Sequence, residues 1–165
     1  MRTIVRRSAL AVLTPAAALG LTLAAPADAA SAAPRTSTLE AQVVSLTNKA
    51  RVRAGCRKLS VSHALIRAAE AHSADMVRHD YFGHTGANGS RFTQRTRRAG
   101  FTERAMGENI AWGYRDAKGV VRGWLNSPGH RRIMLNCNST MIGVGAVRDA
   151  DGVLYWTQEF GTATG

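Results

Sequence analysis

The feature that most constrains the fold of this chain is its pair of cysteines, Cys56 and Cys137, the only two in the sequence. In an exported chain such a pair favours a disulfide over free thiols, because the compartment is oxidising. The spacing does not form a metal-site pattern such as C-x-x-C. We therefore predict a Cys56–Cys137 disulfide, which closes a loop of about 80 residues and stabilises the fold by roughly 4 to 5 kcal/mol at most.

The export that this disulfide requires is predicted from the start of the chain. Three arginines within the first seven residues precede an apolar stretch over residues 9–25, and the small-x-small motif ADA follows at residues 27–29. The apolar stretch contains Pro15 and falls short of the roughly 20 apolar residues of a membrane span, and no later stretch approaches that length. We expect a secretory signal peptide over residues 1–29 and a mature protein that is secreted, extracellular or associated with the cell wall. An uncleaved N-terminal anchor is the alternative.

Positive charge indicates the kind of partner. The chain has 22 Lys and Arg against 11 Asp and Glu. Five arginines lie in and around the segment RFTQRTRRAGF: Arg91, Arg95, Arg97, Arg98 and Arg104. Such a segment attracts polyanions at long range, so we predict cell-wall or membrane phosphates as partners. A solvated arginine face that only aids solubility is the alternative. We expect no nucleic-acid partner, because the chain shows no recognised nucleic-acid motif.

Hydrophobic periodicity predicts helices in the first two thirds of the chain. The first helix begins at Ser37 in the capping-box pattern STLE and ends at Gly55. Its predicted inner face consists of Leu39, Val43, Leu46 and Ala50. A second helix begins near Ser60 or Ser62 and carries the stripe Leu65, Ala69, His72 and Met76. Three shorter helices are predicted over residues 90–99, after the cap Asp116, and at the entry Ser127-Pro128.

Strands are predicted mainly towards the end of the chain. GENIAWGY reads as one strand, and MIGVGAVRD and VLYWTQEFG, joined by DADG, predict an antiparallel hairpin. Strands that pair locally, with helices segregated around them, indicate the α+β class. The predicted domain covers residues 37–165 and follows a disordered lead-in over residues 30–36.

Two histidines and a glutamate are the candidates for chemistry. His84 lies in a Gly-rich loop, His130 lies at a helix entry, and Glu108 follows Gly107 at a strand start. Two imidazoles and a carboxylate can hold a divalent metal with open positions for water, or act as an acid/base set. His72 lies on an apolar stripe, so we expect it to be a core residue. Sequence spacing leaves open whether the three candidates converge.

Other side chains near these candidates have two interpretations. Ser127 is the hydroxyl in the motif of His130, and we expect its oxygen to cap the helix and not to act as a nucleophile. Four aromatic residues are candidates to line a pocket for a small apolar ligand, with burial in the core as the alternative: Phe82, Phe101, Trp112 and Trp124.

Five motifs occur in a recognisable order: YFGHTGANG, GENIAWG, WLNSPGHRRIML, IGVGAV and YWTQEFG. Together they resemble the bacterial branch of the CAP superfamily, named for cysteine-rich secretory, antigen 5 and pathogenesis-related proteins and also called the SCP domain. The resemblance covers about residues 37–161. It implies an α-β-α sandwich in which helices cover both faces of a small antiparallel sheet.

The resemblance also implies a central cavity lined by two histidines and acidic residues, which in some members holds a divalent cation, often zinc. By motif, His84, Glu108 and His130 take these places. A second glutamate, typical of eukaryotic members, is replaced here by Ser127, counted from Trp124, which removes a ligand and a negative charge.

The function that the resemblance implies is a secreted binding or interaction module with a divalent cation at His84, Glu108 and His130. One alternative is a metal-assisted or acid/base hydrolase of peptides or cell-wall polymers, with the same three residues as its catalytic candidates. Family members have been linked with lipid binding, so a lipid- or sterol-binding protein is a further alternative. Fold alone does not decide among these functions.

Overall fold

The computed structural model describes residues 38–163. The predicted signal peptide (1–29), the lead-in (30–36) and the predicted cap Ser37 lie outside the described residues. Within the described range the elements are α1 (Thr38–Arg53), β1 (Ser60–Val61), α2 (His63–Arg78), α3 (Phe92–Arg98), β2 (Arg104–Trp112), α4 (Ala117–Asn126), α5 (Pro128–Met134), β3 (Met141–Arg148) and β4 (Leu154–Thr162). None of the helices found between residues 38 and 163 has the length and apolar character needed to cross a bilayer.

The strands form one sheet in the order β1-β3-β4-β2. β3 and β4 form the predicted antiparallel hairpin, and β2 pairs antiparallel with β4 on its other side. β1 pairs with β3 in parallel over two residues. The predicted α+β class and antiparallel sheet are therefore confirmed, with one short parallel strand added at the edge.

Helix α2 starts after Ser62, whose side chain accepts a hydrogen bond from the Leu65 amide. Of the two predicted starts of this helix, Ser60 is wrong because it lies in β1.

Helix α2 covers one face of the sheet at very short range. An ideal Cβ placed on Gly143 of β3 would lie 2.1 Å from the carbonyl carbon of Leu65, and one on Gly145 would lie 2.3 Å from the amide nitrogen of Glu70. Only glycine leaves room for this approach, because real Cβ atoms do not come within 3.0 Å of such atoms. The IGVG motif thus sets the distance between α2 and the sheet.

The opposite face of the sheet carries the main apolar core. Ile142 and Val144 of β3 alternate with the two glycines and pack with Val43 of α1 and Trp124 of α4, all of them almost fully buried. Full burial of an aliphatic side chain of this size stabilises the fold by about 1.5 to 3 kcal/mol. Helices thus cover both faces of the sheet, and the predicted α-β-α sandwich is confirmed.

The inner face of α1 differs from the prediction. Val43 is buried, but the other residues of the predicted stripe, Leu39, Leu46 and Ala50, are only half-buried. The remaining buried positions of α1 are polar: Glu40, Thr47 and Arg51. These side chains have polar partners on other elements, such as the Ala146 amide for Glu40 and Gln158 for Thr47. The spacing of apolar residues therefore predicted a face of α1 that lies next to the face that is buried in the structure.

Arg51 fastens the end of α1 to the chain that follows α5. Its guanidinium is fully buried and donates to the carbonyl oxygens of Met134 (2.7 Å), Asn136 (3.0 Å) and Ser139 (2.9 Å). The predicted Cys56–Cys137 disulfide is confirmed and joins the same two regions. A non-covalent and a covalent link thus hold the α1 end against the approach to β3.

We expect Arg51→Met to lower the free energy of unfolding by about 3 to 5 kcal/mol, because the substitution leaves several buried carbonyls without a donor. Arg53→Met is the matched control, since Arg53 lies two residues away on the same helix and is exposed. The measurement is urea unfolding of the oxidised protein. Equal stabilities for the two variants would contradict the role given to Arg51.

Candidate functional site

Three consecutive residues of β2 face three different partners. An ideal Cβ on Gly107 would lie 2.9 Å from Ile133 Cγ2 of α5, so glycine is needed for α5 to pack here. Because side chains alternate along a strand, Glu108 faces the opposite side of the sheet, where α2 and α3 lie. Asn109 returns to the α5 side, and its Nδ2 donates to the carbonyl oxygen of His130 (3.3 Å). The GEN motif therefore holds elements on both faces of the sheet.

The carboxylate of Glu108 is buried and engaged on both oxygens. Its Oε1 lies 2.7 Å from Nδ1 of His84, and its Oε2 accepts a hydrogen bond from Nη2 of Arg95 on α3. His72 of α2 lies behind it, with Nε2 3.9 Å from Oε2 and 3.0 Å from the Gly83 carbonyl oxygen. His72 is fully buried, so the prediction of a core residue is confirmed.

Two buried glutamates at this point have opposite pKa shifts. Burial alone would raise the pKa of Glu108, but contacts with His84, Glu159, Arg95 and His72 outweigh burial and lower it to about 2. Glu159 is paired opposite Glu108 on β4 and is fully buried. Burial and the neighbouring Glu108 raise the pKa of Glu159 well above its usual value. The two shifts favour the ionised form of Glu108 and the protonated form of Glu159.

Glu108 fixes the imidazole of His84. An ionised carboxylate can only accept, so Nδ1 of His84 carries the proton and Nε2 is left as the basic nitrogen. The His84 side chain is 57% exposed, which leaves it accessible from the cleft described next. A histidine oriented in this way is suited to bind a proton, a polar ligand or a metal ion at Nε2.

His84 and His130 line one cleft of about 560 Å³. Burial, together with the nearby His84, lowers the pKa of His130, which favours a neutral imidazole at pH 7. Ser127 and Trp124 also line the cleft. The structure thus brings His84 into contact with Glu108 and places His84 and His130 in a common space.

Exposed aromatic rings form one side of this cleft. Phe82 is 47% exposed and Trp112 is 56% exposed, and their ring centroids are 6.4 Å apart. Tyr155 is half-buried, pairs with Trp112 across β2 and β4, and stacks on the Trp112 ring with centroids 6.4 Å apart. We call Phe82, Trp112 and Tyr155 the aromatic row. Tyr114, also exposed, lines the cleft beside it.

Of the four aromatic residues predicted to line a pocket, Phe82 and Trp112 do so on the exposed side. Phe101 is buried, in agreement with the alternative interpretation, and Trp124 belongs to the core while one side of it reaches the cleft. Sequence reasoning missed Tyr155, although strand alternation and hairpin register place it next to Trp112.

Two expectations about individual side chains are wrong. Ser127 is the N-cap residue of α5 by position, but its side chain makes no capping hydrogen bond. Arg95 was assigned to the basic face, yet it is only 9% exposed and binds Glu108. Besides Tyr155, sequence reasoning did not identify Arg95 and Glu159 beside Glu108, or Tyr114 in the cleft lining.

The donor atoms of the site limit how it could hold a metal ion. Both oxygens of Glu108 are engaged by His84 and Arg95, so Glu108 is placed to orient His84 and not to bind an ion directly. Across residues 38–163 no group of three or more His, Cys, Asp or Glu side chains is arranged to hold a metal ion. The two imidazoles remain the candidate ligands, and the metal at His84, Glu108 and His130 stays a prediction.

Comparison with known proteins identifies relatives of this chain. The profile of the CAP family, described as the Cysteine-rich secretory protein family, matches residues 44–160. The uncharacterized protein YkwD of Bacillus subtilis is 40% identical over 125 residues, which is 75% of this chain and 47% of that protein. The uncharacterized membrane protein YlbC of the same organism is 38% identical over 124 residues, covering 75% of this chain and 34% of YlbC. The chain thus spans about a third to a half of the length of these relatives.

Solved structures have the same fold. An extracellular protein of Bacillus anthracis that contains an SCP domain superposes with a TM-score of 0.68 at 33% identity, covering 74% of this chain and 40% of that one. An outer surface protein of Borrelia burgdorferi superposes with the same TM-score of 0.68 at 22% identity, covering 74% of this chain and 90% of that one. The second likeness concerns the fold alone.

We expect Glu108→Gln to cost about 3 to 5 kcal/mol of unfolding free energy at pH 7, because it leaves Arg95 buried without its counter-charge. The lowered pKa of Glu108 means that its stabilisation is fully present above the unfolded value of about 4.3 and is lost as the pH falls towards about 2. The difference between wild type and variant should therefore shrink over that window. Chemical unfolding at a series of pH values measures it.

Glu159→Gln is the comparison variant within the same cluster. We expect Glu159 to affect the pH dependence of stability in the direction opposite to Glu108. The raised pKa of Glu159 means that folding takes up a proton above about pH 4.3, so this residue makes wild-type stability fall as the pH rises. Glutamine resembles the protonated acid and should remove that fall. Identical pH profiles for the two variants would contradict the assignment of one ionised and one protonated carboxyl group.

Proposed function

Because this chain belongs to the CAP, or Cysteine-rich secretory protein, family, we propose that it is an extracellular binding module whose ligand occupies the cleft between His84, His130 and the aromatic row. The extracellular location is supported by the Cys56–Cys137 disulfide and by relatives described as an extracellular protein and an outer surface protein. One relative is described as a membrane protein. A secreted domain and the outer domain of an anchored protein both agree with this location.

The observation that carries the proposal is the exposure of aromatic rings beside two polar imidazoles. Trp112 has more than half of its surface in water, although burying such a ring is favourable. The cleft volume of about 560 Å³ lies in the usual range of small-molecule sites. A ligand with an apolar face and an adjacent polar group would cover Trp112 and hydrogen-bond to His84 or His130. Sterols, other lipids and cell-wall sugars offer such faces.

Acrylamide quenching of tryptophan fluorescence tests the proposal. Trp124 and Trp156 are buried, so Trp112 should dominate the quenched signal. We expect at least one member of a probe panel, consisting of a sterol, a fatty acid and a cell-wall disaccharide peptide, to protect Trp112 from acrylamide in a saturable manner. Trp112→Phe should remove the protected signal, and His84→Ala/His130→Ala should weaken binding by about tenfold or more.

The control for this experiment is Phe101→Leu, which changes an aromatic residue buried away from the aromatic row. It should leave protection by the same probe unchanged. If no probe of the three classes protects Trp112 in the folded protein, the cleft does not bind sterols, fatty acids or cell-wall sugars, and the proposal fails.

A second candidate function is binding of a divalent cation, and the contact between Glu108 and His84 favours it. Carboxylates commonly orient metal-binding histidines through the nitrogen that does not bind the ion. His84 and His130 would hold the ion, water would complete its coordination, and the bound ion would supply Lewis-acid chemistry. The neutral imidazole favoured at His130 by its lowered pKa is the form that binds a metal.

We expect calorimetric titration of the metal-stripped domain with Zn²⁺ at neutral pH to give saturable binding near one ion per chain. His84→Ala/His130→Ala should weaken it by about a hundredfold or more, since both proposed ligands are lost. His63→Ala/His79→Ala removes two exposed histidines and should have little effect. A folded parent that does not bind Zn²⁺, or equal losses in both double variants, would end the cation proposal.

A further inference from the structure

A second pocket, between α2 and α3, is lined by arginines. It has a volume of about 430 Å³, and four arginine side chains contribute to its walls: Arg67, Arg78, Arg95 and Arg98. The wall positions Ala68, Ala71 and Ala99 carry small side chains, which leave space between the guanidinium groups. We call this the arginine pocket. It has no residue in common with the lining of the histidine cleft.

The arginines of this pocket divide into one compensated and three uncompensated cations. Arg95 is neutralised by Glu108 and is fixed by hydrogen bonds from Nη1 to the carbonyl oxygens of Ser90 (2.7 Å) and His84 (3.0 Å). The ion pairs found among residues 38–163 include no carboxylate partner for Arg67, Arg78 or Arg98. Three positive charges therefore border one pocket, and none of them forms an ion pair with a carboxylate of the described residues.

Asp75, the acidic residue in the lining of the pocket, already has partners within the protein. Asp75 accepts hydrogen bonds from the Tyr81 hydroxyl (2.6 Å) and the Ala87 amide (2.9 Å), and its other oxygen lies 3.0 Å from Nδ1 of His79. These contacts hold the carboxylate to the loop after α2. Asp75 therefore leaves an excess of positive charge in the pocket.

One of the uncompensated cations is held in place before any ligand binds. Nη2 of Arg67 donates to the carbonyl oxygen of Ala99, the C-cap residue of α3, over 2.7 Å. This bond joins the two helices across the pocket and reduces the entropy that the side chain would lose on binding. The N–H groups of a planar guanidinium match the oxygen atoms of a phosphate group.

We propose that the arginine pocket binds a phosphate group carried by an extracellular ligand, through Arg67, Arg78 and Arg98. Three cations suit a phosphate group better than a carboxylate, which one guanidinium satisfies in bidentate fashion. The proposal changes the basic surface predicted from sequence: Arg98 belongs to the site, two arginines of α2 join it, and Arg91, Arg97 and Arg104 lie outside its lining. It is independent of what the histidine cleft binds.

The first test titrates the oxidised domain with inorganic phosphate at constant ionic strength and follows the arginine Nε–H signals by NMR. We expect saturable shifts at Arg67 and Arg98 and an affinity that falls by about tenfold or more in Arg67→Gln/Arg98→Gln. Arg53→Gln/Arg104→Gln removes the same charge from exposed positions outside the pocket and should change the affinity by less than about twofold. Equal losses in the two double variants, or no saturable shift, would overturn the proposal.

Two further arms distinguish the possible carriers of the phosphate group. A soluble glycerol-phosphate polymer and vesicles of phosphatidylglycerol are each tested for displacement of inorganic phosphate, with phosphatidylcholine vesicles as the lipid control. Displacement that depends on Arg67 and Arg98 supports the proposal and identifies the carrier as a polymer or a lipid headgroup. If neither carrier displaces phosphate, recognition of a carried phosphate group is overturned.

Discussion

The contact between the buried carboxylate of Glu108 and Arg95 is the interaction on which the arrangement of the site depends. Removing a carboxylate from water is costly, and burial by itself would raise its pKa. The charge is tolerated because α3 supplies Arg95 and the loop after α2 supplies His84. These requirements bring three separate segments to one strand. His84 is thus oriented by the same hydrogen bond that helps to stabilise the buried carboxylate of Glu108.

The two histidines of the cleft are positioned from opposite faces of the sheet by adjacent residues. Glu108 holds the side chain of His84, whereas Asn109 holds the backbone of His130 and also donates to Gln158 of β4. Gln158 in turn donates to Thr47 of α1. A chain of hydrogen bonds therefore runs from α1 through two strands to the helix that carries His130. These hydrogen bonds restrict the position of the helix start that carries His130 relative to the sheet.

Local patterns predicted the elements except β1, and also the three candidate residues, because caps, turns and alternation are encoded by neighbouring residues. The disulfide was predicted from the two cysteines of an exported chain. The buried face of α1 was not predictable in this way, since Glu40, Thr47 and Arg51 are polar and their partners lie far away in sequence. Arg95 was assigned to the solvent for the same reason. Its burial depends on Glu108, which reaches it only through tertiary packing. The exposure of Trp112 likewise depends on how the sheet packs and could not be read from neighbouring residues.

The strand order has a consequence for how the chain acquires its structure. β4 is the last strand in chain order, yet it lies between β3 and β2 and pairs with both. Glu159, which completes the carboxyl pair, also lies on β4. A chain that appears from its N-terminus onwards, at the ribosome or at a translocation pore, thus cannot complete its sheet until β4 is delivered. Among the described strands β2 pairs with β4 alone, so β2 gains its place in the sheet only after this last strand has emerged.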